Sequence, residues 1–275
     1  MPNTKKFTEL IEELRTLIQK EKEQKENAYR LLEQNFFSLR NELAVLYEHE
    51  KDEILQNEIK PFVEQYSFLT EKSILQIIKK QRQETFHSLI LEHLWGEIEF
   101  HEVALANFVE QVEGIKEKSQ LKKWILENDY SIKCEEQTHN KKRIDIIIRD
   151  NKGRWVIVIE NKIDSSVHSD NDGKTQLANY FDYAKRKFKN CECCTFILLS
   201  HSNNRKYTRN NCWLYADYYD VYNSLLKHQS NDDVKEYLKT LFSLLFPNAD
   251  LGEKTSLCSA KNFYNQIIST KKQTL

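Results

Sequence analysis

The first 60 residues of the chain have the hydrophobic pattern of a long helix. Apolar residues recur at spacings of three, four and seven, and residues 4–60 contain no glycine and no proline, which is typical of a helix. The wholly polar segment 20–27 interrupts this repeat. We therefore predict a coiled-coil-like extension, either one long helix or a helical pair, ending near Pro61. It is either an arm for dimerisation or partner docking, or a set of helices packed on the protein's own body.

The remaining residues change from helical spacing to short strand-like runs and back again. Four further helical segments fall within residues 67–128. Short runs rich in β-branched residues then predict strands, at 130–136, 143–149, 155–160, 193–200 and a short run near Trp213. Helical spacing returns at 174–188, 217–227, 232–246 and 259–270. This order predicts an α/β fold in residues 61–275, preceded by a helical arm over residues 1–60.

Composition excludes several classes of protein. Five glycines and three prolines argue against folds built on many tight turns, and no glycine-rich phosphate-binding motif is present. The chain has 41 basic and 42 acidic residues, so its net charge provides no overall attraction to nucleic acid. The N-terminal sequence resembles no signal peptide, and no apolar run is long enough to span a membrane. We therefore expect a cytoplasmic protein with reduced cysteines, those at 191–194 serving packing rather than zinc binding.

The residues that suggest chemistry lie in two neighbouring predicted strands. Asp145 is embedded in one apolar run, and Glu160 and Lys162 end the next. Glu160 and Lys162 should share a face, because side chains two apart on a strand point the same way. A hairpin through the turn at 151–154 would bring Asp145 alongside them. Two carboxylates and an ammonium group would then meet at one end of a sheet, a set that suits Mg²⁺ or Mn²⁺.

Asp145 followed by Glu160-Asn161-Lys162 resembles the signature of the PD-(D/E)XK nuclease superfamily. The resemblance extends to Gln176-Leu177-x-x-Tyr180 and to Glu84-x-x-His87-Ser88, which look like the QLxxY and ExxHS helices of a bacterial branch. It covers roughly residues 80–205 and implies a restriction-endonuclease-like mixed β-sheet core flanked by helices. Ile144 stands where the signature has proline.

The resemblance implies a role for each matching residue. Asp145, Glu160 and Glu84 would hold the metal, Lys162 would assist hydrolysis, and Gln176 would steady the site. Glu136 is a rival to Glu84 as the additional acid, and His87 fits a packing role better than that of a ligand. Each residue also has a plain structural interpretation: Glu160 and Lys162 could form a strand-end ion pair, and Gln176 and Tyr180 could be ordinary helix-face residues.

Local charge favours a phosphate-bearing substrate although the overall charge does not. Residues 141–162 carry seven basic side chains against three acidic ones, and residues 185–209 carry seven against one. Contacts to a nucleic-acid backbone require basic segments of this kind. The residues predicted to bind nucleic acid are Lys142, Arg143, Lys174 and Tyr180.

The sequence thus predicts a divalent-metal-dependent nuclease, acting on DNA rather than RNA, with a role in bacterial defence implied only by analogy. The arm predicts a homo-oligomer or a larger protein complex. The alternative hypothesis is a catalytically silent nuclease fold that serves as a nucleic-acid-binding or scaffold subunit. The intact Asp145, Glu160 and Lys162 argue against that alternative, because a degenerate copy would have lost at least one of them.

Overall fold

A computed structural model describes residues 3–54, 57, 64–138, 142–169, 175–201, 204–209 and 212–247. The chain divides into two units, with Glu64 in the first and Gln65 in the second. The predicted domain boundary after residue 60 stays a prediction. The helix predicted at 259–270 lies outside the described residues.

The described part of the N-terminal unit is dominated by helix α1 (Asn3–Ile54), which is 52 residues long. The sequence left open one helix or a helical pair, and the polar segment 20–27 continues the helix without a break. At 1.5 Å per residue, α1 is about 78 Å long. Among the described residues, no helix combines the length and the apolar character needed to cross a membrane.

The second unit begins with helices that lead into the sheet. They are α2 (Ile74–Ile77), α3 (Glu84–Gly96), α4 (His101–Gln111) and α5 (Lys118–Glu127). The continuous helix predicted at 67–81 is wrong, because a four-residue 3-10 turn at Ser67–Thr70 precedes the single turn α2. Ser73 caps α2 in a capping box with Gln76, and Lys79 takes a left-handed φ of 57° just after it. The cap starts the helix and the left-handed residue ends it, and the few residues between them form only one helical turn.

Five strands form a single mixed sheet in the order β1-β2-β3-β4-β5. They are β1 (Tyr130–Gln137), β2 (Arg143–Asp150), β3 (Trp155–Lys162), β4 (Cys193–Ser200) and β5 (Trp213–Ala216). Strands β1, β2 and β3 are antiparallel neighbours, whereas β4 runs parallel to β3, and β5 parallel to β4. Every predicted strand is present. Gly153, at a φ of 74°, forms the predicted turn between β2 and β3.

Helices cover both faces of the sheet. On one face, α6 (Gln176–Lys187) buries Leu177 and Tyr180 against Val156 and Val158 of β3. Cys191 and Cys194 pack at the edge of this cluster. The remaining helices α7 (Tyr218–Leu225) and α8 (Asp232–Leu245) pack with α3 and α4. Strand β3, with all eight residues buried, lies at the centre of the fold. These features define a restriction-endonuclease-like α/β fold, as predicted.

Candidate active site

The β2–β3 hairpin brings Asp145 and Glu160 together. Its register pairs Ile146 with Ile159, so Asp145 and Glu160 are the next residues along the two strands. The backbone N–H of Asn161 donates a 2.6 Å hydrogen bond to Oδ2 of Asp145. The predicted convergence of the two carboxylates is therefore present, and the hairpin backbone fixes the position of one of them.

Lys162 lies on the same side of β3 as Glu160, as the two-residue spacing predicts. Its Nζ is 2.6 Å from Oε1 of Glu160, and the two side chains are 7% and 0% exposed. Neither carboxylate oxygen of Glu160 accepts a well-aligned hydrogen bond. A buried carboxylate without such donors is costly unless cations compensate its charge. Lys162 supplies one cation, so the ion pair of the plain structural interpretation is present, and it is buried rather than exposed.

The pKa values show how strongly the three groups depend on one another. Burial raises the pKa of Asp145 to about 6, even though Lys162 and the Asn161 amide act in the opposite direction. Burial and then the charge of Asp145 raise the pKa of Glu160 well above its ordinary range. Burial opposes the charge of Lys162, but Glu160 and Asp145 outweigh it and raise the pKa of this ammonium group. Lys162 is therefore protonated at neutral pH.

Glu84, at the start of α3, reaches the same site from a different element. Its Oε1 accepts hydrogen bonds from the Ile163 amide at 2.9 Å and from the Ser165 hydroxyl at 2.7 Å. Its Oε2 lies 3.7 Å from Nζ of Lys162. The helix that resembles the ExxHS element therefore delivers its carboxylate to the end of β3.

The rival acid, Glu136, lies elsewhere. It accepts a 3.0 Å hydrogen bond from Tyr183 and forms ion pairs with Lys187 and Lys133. The structure thus brings Glu84, and not Glu136, to Lys162.

Gln176 and Tyr180 form a pair on the first turn of α6. The side chain of Thr175 caps this helix, and Nε2 of Gln176 donates a 2.9 Å hydrogen bond to the Tyr180 hydroxyl. That hydroxyl donates to the carbonyl oxygen of Arg143. Tyr180 is only 1% exposed, and its predicted contact with nucleic acid stays a prediction. Oε1 of Gln176 is buried without a hydrogen-bond partner.

A cleft of about 380 Å³ opens beside Asp145. Its lining comprises Glu135, Lys142, Arg143, Asp145, His168, Gln176 and Tyr180. The predicted nucleic-acid residues Lys142 and Arg143 therefore flank the carboxylate, whereas Lys174 lies outside the described residues. A cleft lined by basic residues and a carboxylate is suited to a phosphodiester near a bound cation.

Sequence reasoning missed Glu135. Its neighbours Cys134 and Glu136 pair with Ile146 and Ile144, which flank Asp145 on β2. Glu135 has a left-handed φ of 54°, and its Oε2 is 3.2 Å from Nη1 of Arg143. The sequence contains two adjacent acids at this strand end, and only the pairing register shows which one faces the cleft.

Asn161, between Glu160 and Lys162, faces the opposite side of the sheet. Its Nδ2 donates to the Glu84 carbonyl at 3.1 Å and to Oγ of Ser88 at 3.2 Å. Its Oδ1 accepts a 2.6 Å hydrogen bond from the hydroxyl of Tyr218 on α7. Asn161 thus joins β3 to two helices, and its partner Tyr218 could not be found from local sequence pattern.

His87 packs behind this network. Its Nε2 lies 2.9 Å from the Gln81 carbonyl and its Nδ1 lies 2.9 Å from the Tyr237 hydroxyl. A carbonyl only accepts, so Nε2 carries the proton and Nδ1 accepts from Tyr237. Burial lowers the pKa of His87 to about 4. His87 is therefore a neutral packing residue in this structure.

The residues at the end of β3 fit a hard divalent cation. In the described part of the chain, no three His, Cys, Asp or Glu side chains form a ready-made ligand group. Mg²⁺, however, usually binds through one or two carboxylates and keeps several waters. Asp145 and Glu160 provide two carboxylates, and the unsatisfied buried oxygens of Glu160 are what a cation would compensate.

The fold and this site define the class: an α/β protein with two carboxylates and a lysine at the end of a central strand. The sequence of residues 72–244 matches a family model of the PD-(D/E)XK nuclease superfamily. The chain belongs to this superfamily, whose members are generally nucleases that use divalent metals. No curated protein and no solved structure matches the chain.

Proposed function

We propose that this protein is a nuclease that hydrolyses phosphodiester bonds with the help of Mg²⁺ or Mn²⁺. The observation that supports the proposal is the contact of Lys162 with Glu160, buried beside Asp145 at the edge of a cleft. Asp145 and Glu160 would hold the ion, and Glu84, whose Oε2 lies 3.7 Å from Nζ of Lys162, is the proposed additional acid. A bound ion of this kind polarises a phosphoryl oxygen and lowers the pKa of a water.

The residues of the chain itself would position the reactants. Lys162 remains charged, because its two carboxylate neighbours raise its pKa, so it would donate hydrogen bonds to the attacking water or offset charge on the phosphate. It would not act as a general base in that state. Gln176 would present its buried Oε1 towards the cleft, and Tyr180 would hold the Arg143 backbone. Lys142 and Arg143 would contact the phosphates that flank the scissile bond.

The proposed substrate is DNA, with activity in the cytoplasm and a role in defence against foreign DNA. The superfamily implies a nucleic-acid substrate, and these finer assignments rest on the resemblance of Glu160-Asn161-Lys162, Gln176 and Tyr180 to the bacterial branch.

The decisive experiment compares two lysine variants from the same hairpin. Purified protein is incubated with plasmid, linear and single-stranded DNA and with RNA, in Mg²⁺ or Mn²⁺. We expect Lys162→Ala to reduce cleavage by at least about 100-fold, since it removes a charged donor from the reacting centre. Lys152→Ala, in the exposed turn, should cleave like the wild type. Circular dichroism checks that both variants are folded.

Equal cleavage by Lys162→Ala and the wild type would overturn the assignment. A folded wild type that cleaves nothing, and that takes up no more Mn²⁺ in calorimetry than Asp145→Ala, would favour the silent binding subunit instead.

A further inference from the structure

The long helix α1 exposes a continuous apolar stripe. Fourteen large apolar side chains are exposed among those that the structure describes on α1. Eleven of them, each at least half exposed, fall within about 120° of the helix circumference at 100° per residue. Leu10, Leu14, Leu32, Phe36 and Leu43 are examples. The stripe therefore runs along most of the helix, and a patch of this extent marks an interaction surface.

The stripe is large enough for a stable interface. Nine of its side chains, from Leu10 to Leu43, lie in the part of α1 that two copies share when they cross antiparallel near residue 23. With roughly 100 Å² exposed on each, they amount to about 900 Å² per copy, compared with about 800 Å² per partner in a standard protein–protein interface. A second helix carrying the same stripe would cover this part of it, as in coiled coils.

An ion pair within the stripe indicates which partner and which direction. Glu21 and Lys25 lie inside the same 120° sector, between the two apolar halves, and are joined at 2.9 Å. In a parallel pair in register, each would face its own copy, which places like charges together. In an antiparallel pair crossing near residue 23, Glu21 of each copy faces Lys25 of the other. The same crossing places Leu14 against Leu32 and Leu10 against Phe36.

We propose that two copies of this chain associate through α1 in antiparallel orientation, crossing near residue 23. The ion pair of Glu21 and Lys25 within the apolar stripe fixes the register and the direction of the two helices, as polar residues at core positions do in coiled coils. The proposal does not depend on the nuclease activity.

Two adjacent phenylalanines provide a matched test on the full-length chain. Phe36 lies in the stripe, whereas Phe37 lies about 80° beyond the edge of its 120° sector. Sedimentation at micromolar concentration should show a dimer for the wild type and for Phe37→Glu, and a monomer for Phe36→Glu. A monomeric wild type, or equal dissociation by the two variants, would overturn the proposal.

A distance measurement tests the direction. A nitroxide on a non-natural side chain at the exposed, off-stripe position Asn41 avoids the native cysteines. In the antiparallel pair the two labels lie 36 residues apart along the axis, or about 54 Å. Double electron–electron resonance should report this distance, and a distance below about 25 Å between the two labels would refute the antiparallel orientation.

Discussion

Replacing Asp145 with Asn should make the metal-free protein more stable at neutral pH. Asn keeps the shape of Asp and one oxygen to accept the Asn161 amide, but it has no charge to bury. The pKa of Asp145 is about 6 in the folded protein against an ordinary value of 3.8. At 1.36 kcal/mol for each pH unit, the ionised carboxylate costs the folded state about 3 kcal/mol.

The sign of the pH dependence follows from proton binding. The folded protein binds the Asp145 proton more tightly than the unfolded chain does, so protonation of Asp145 raises the free energy of unfolding. This contribution is complete below pH 3.8 and is lost as the pH rises through about 6. His87 acts in the opposite direction. Its pKa is lowered from 6.5 to about 4, so stability rises with pH across that interval. The two effects oppose each other in the wild type, and Asp145→Asn should remove the first of them.

Urea unfolding in EDTA, followed by tryptophan fluorescence, measures both effects. We expect Asp145→Asn to exceed the wild type by about 2–3 kcal/mol at pH 7.5, and by progressively less as the pH falls towards 4. Asp150→Asn is the matched control on the same strand. Burial acts against the Asp150 charge, but hydrogen bonds from Arg154 outweigh it and lower the pKa of Asp150. This variant should be less stable than the wild type.

The metal dependence of the same measurement separates charge burial from packing. Mn²⁺ should raise the unfolding free energy of the wild type, since a ligand that binds only the folded state stabilises it. It should raise that of Asp145→Asn much less. If Asp145→Asn is no more stable than the wild type in EDTA, the carboxylate is not held at an electrostatic cost and the reasoning fails.

Two further variants test the groups that hold the site. Tyr218→Phe leaves the buried Oδ1 of Asn161 without its donor, so unfolding in urea should show a loss of about 1–3 kcal/mol; an unchanged stability would contradict the contact. Ser165→Ala removes one of two hydrogen bonds to Oε1 of Glu84. Cleavage should fall several-fold while Mn²⁺ affinity measured by calorimetry weakens, and a change in neither would show that the hydroxyl does not position Glu84.

The sequence predicts the part of the fold that depends on local pattern. Alternation and β-branched runs locate all five strands, and the turn containing Gly153 supports the hairpin that unites Asp145 with Glu160. Helical spacing fails at 67–81, because Ser73 and Lys79 delimit a single turn within an otherwise helical pattern. Local capping determines where α2 begins and ends, and the periodicity of apolar residues over a longer window does not detect these ends.

The missed parts of the site depend on contacts between distant residues. Glu135 faces the cleft because of its register with β2, and its neighbour Glu136 is engaged by Tyr183 and Lys187 of α6. Tyr218 reaches Asn161 across 57 residues of sequence. Such pairings are set by how the helices pack on the sheet, and one sequence alone does not specify them.

The alternation of side chains along β3 has a consequence for how this protein can vary. Glu160 and Lys162 face the candidate active site, whereas the side chain of Asn161 between them faces α3 and α7. The backbone N–H of Asn161 donates a hydrogen bond to Asp145. The effect of a substitution in the helix packing can therefore reach the carboxylate of Asp145 through one residue. Substitutions at the cleft are accordingly better tolerated than substitutions in the helices behind the sheet, which would also shift Asp145.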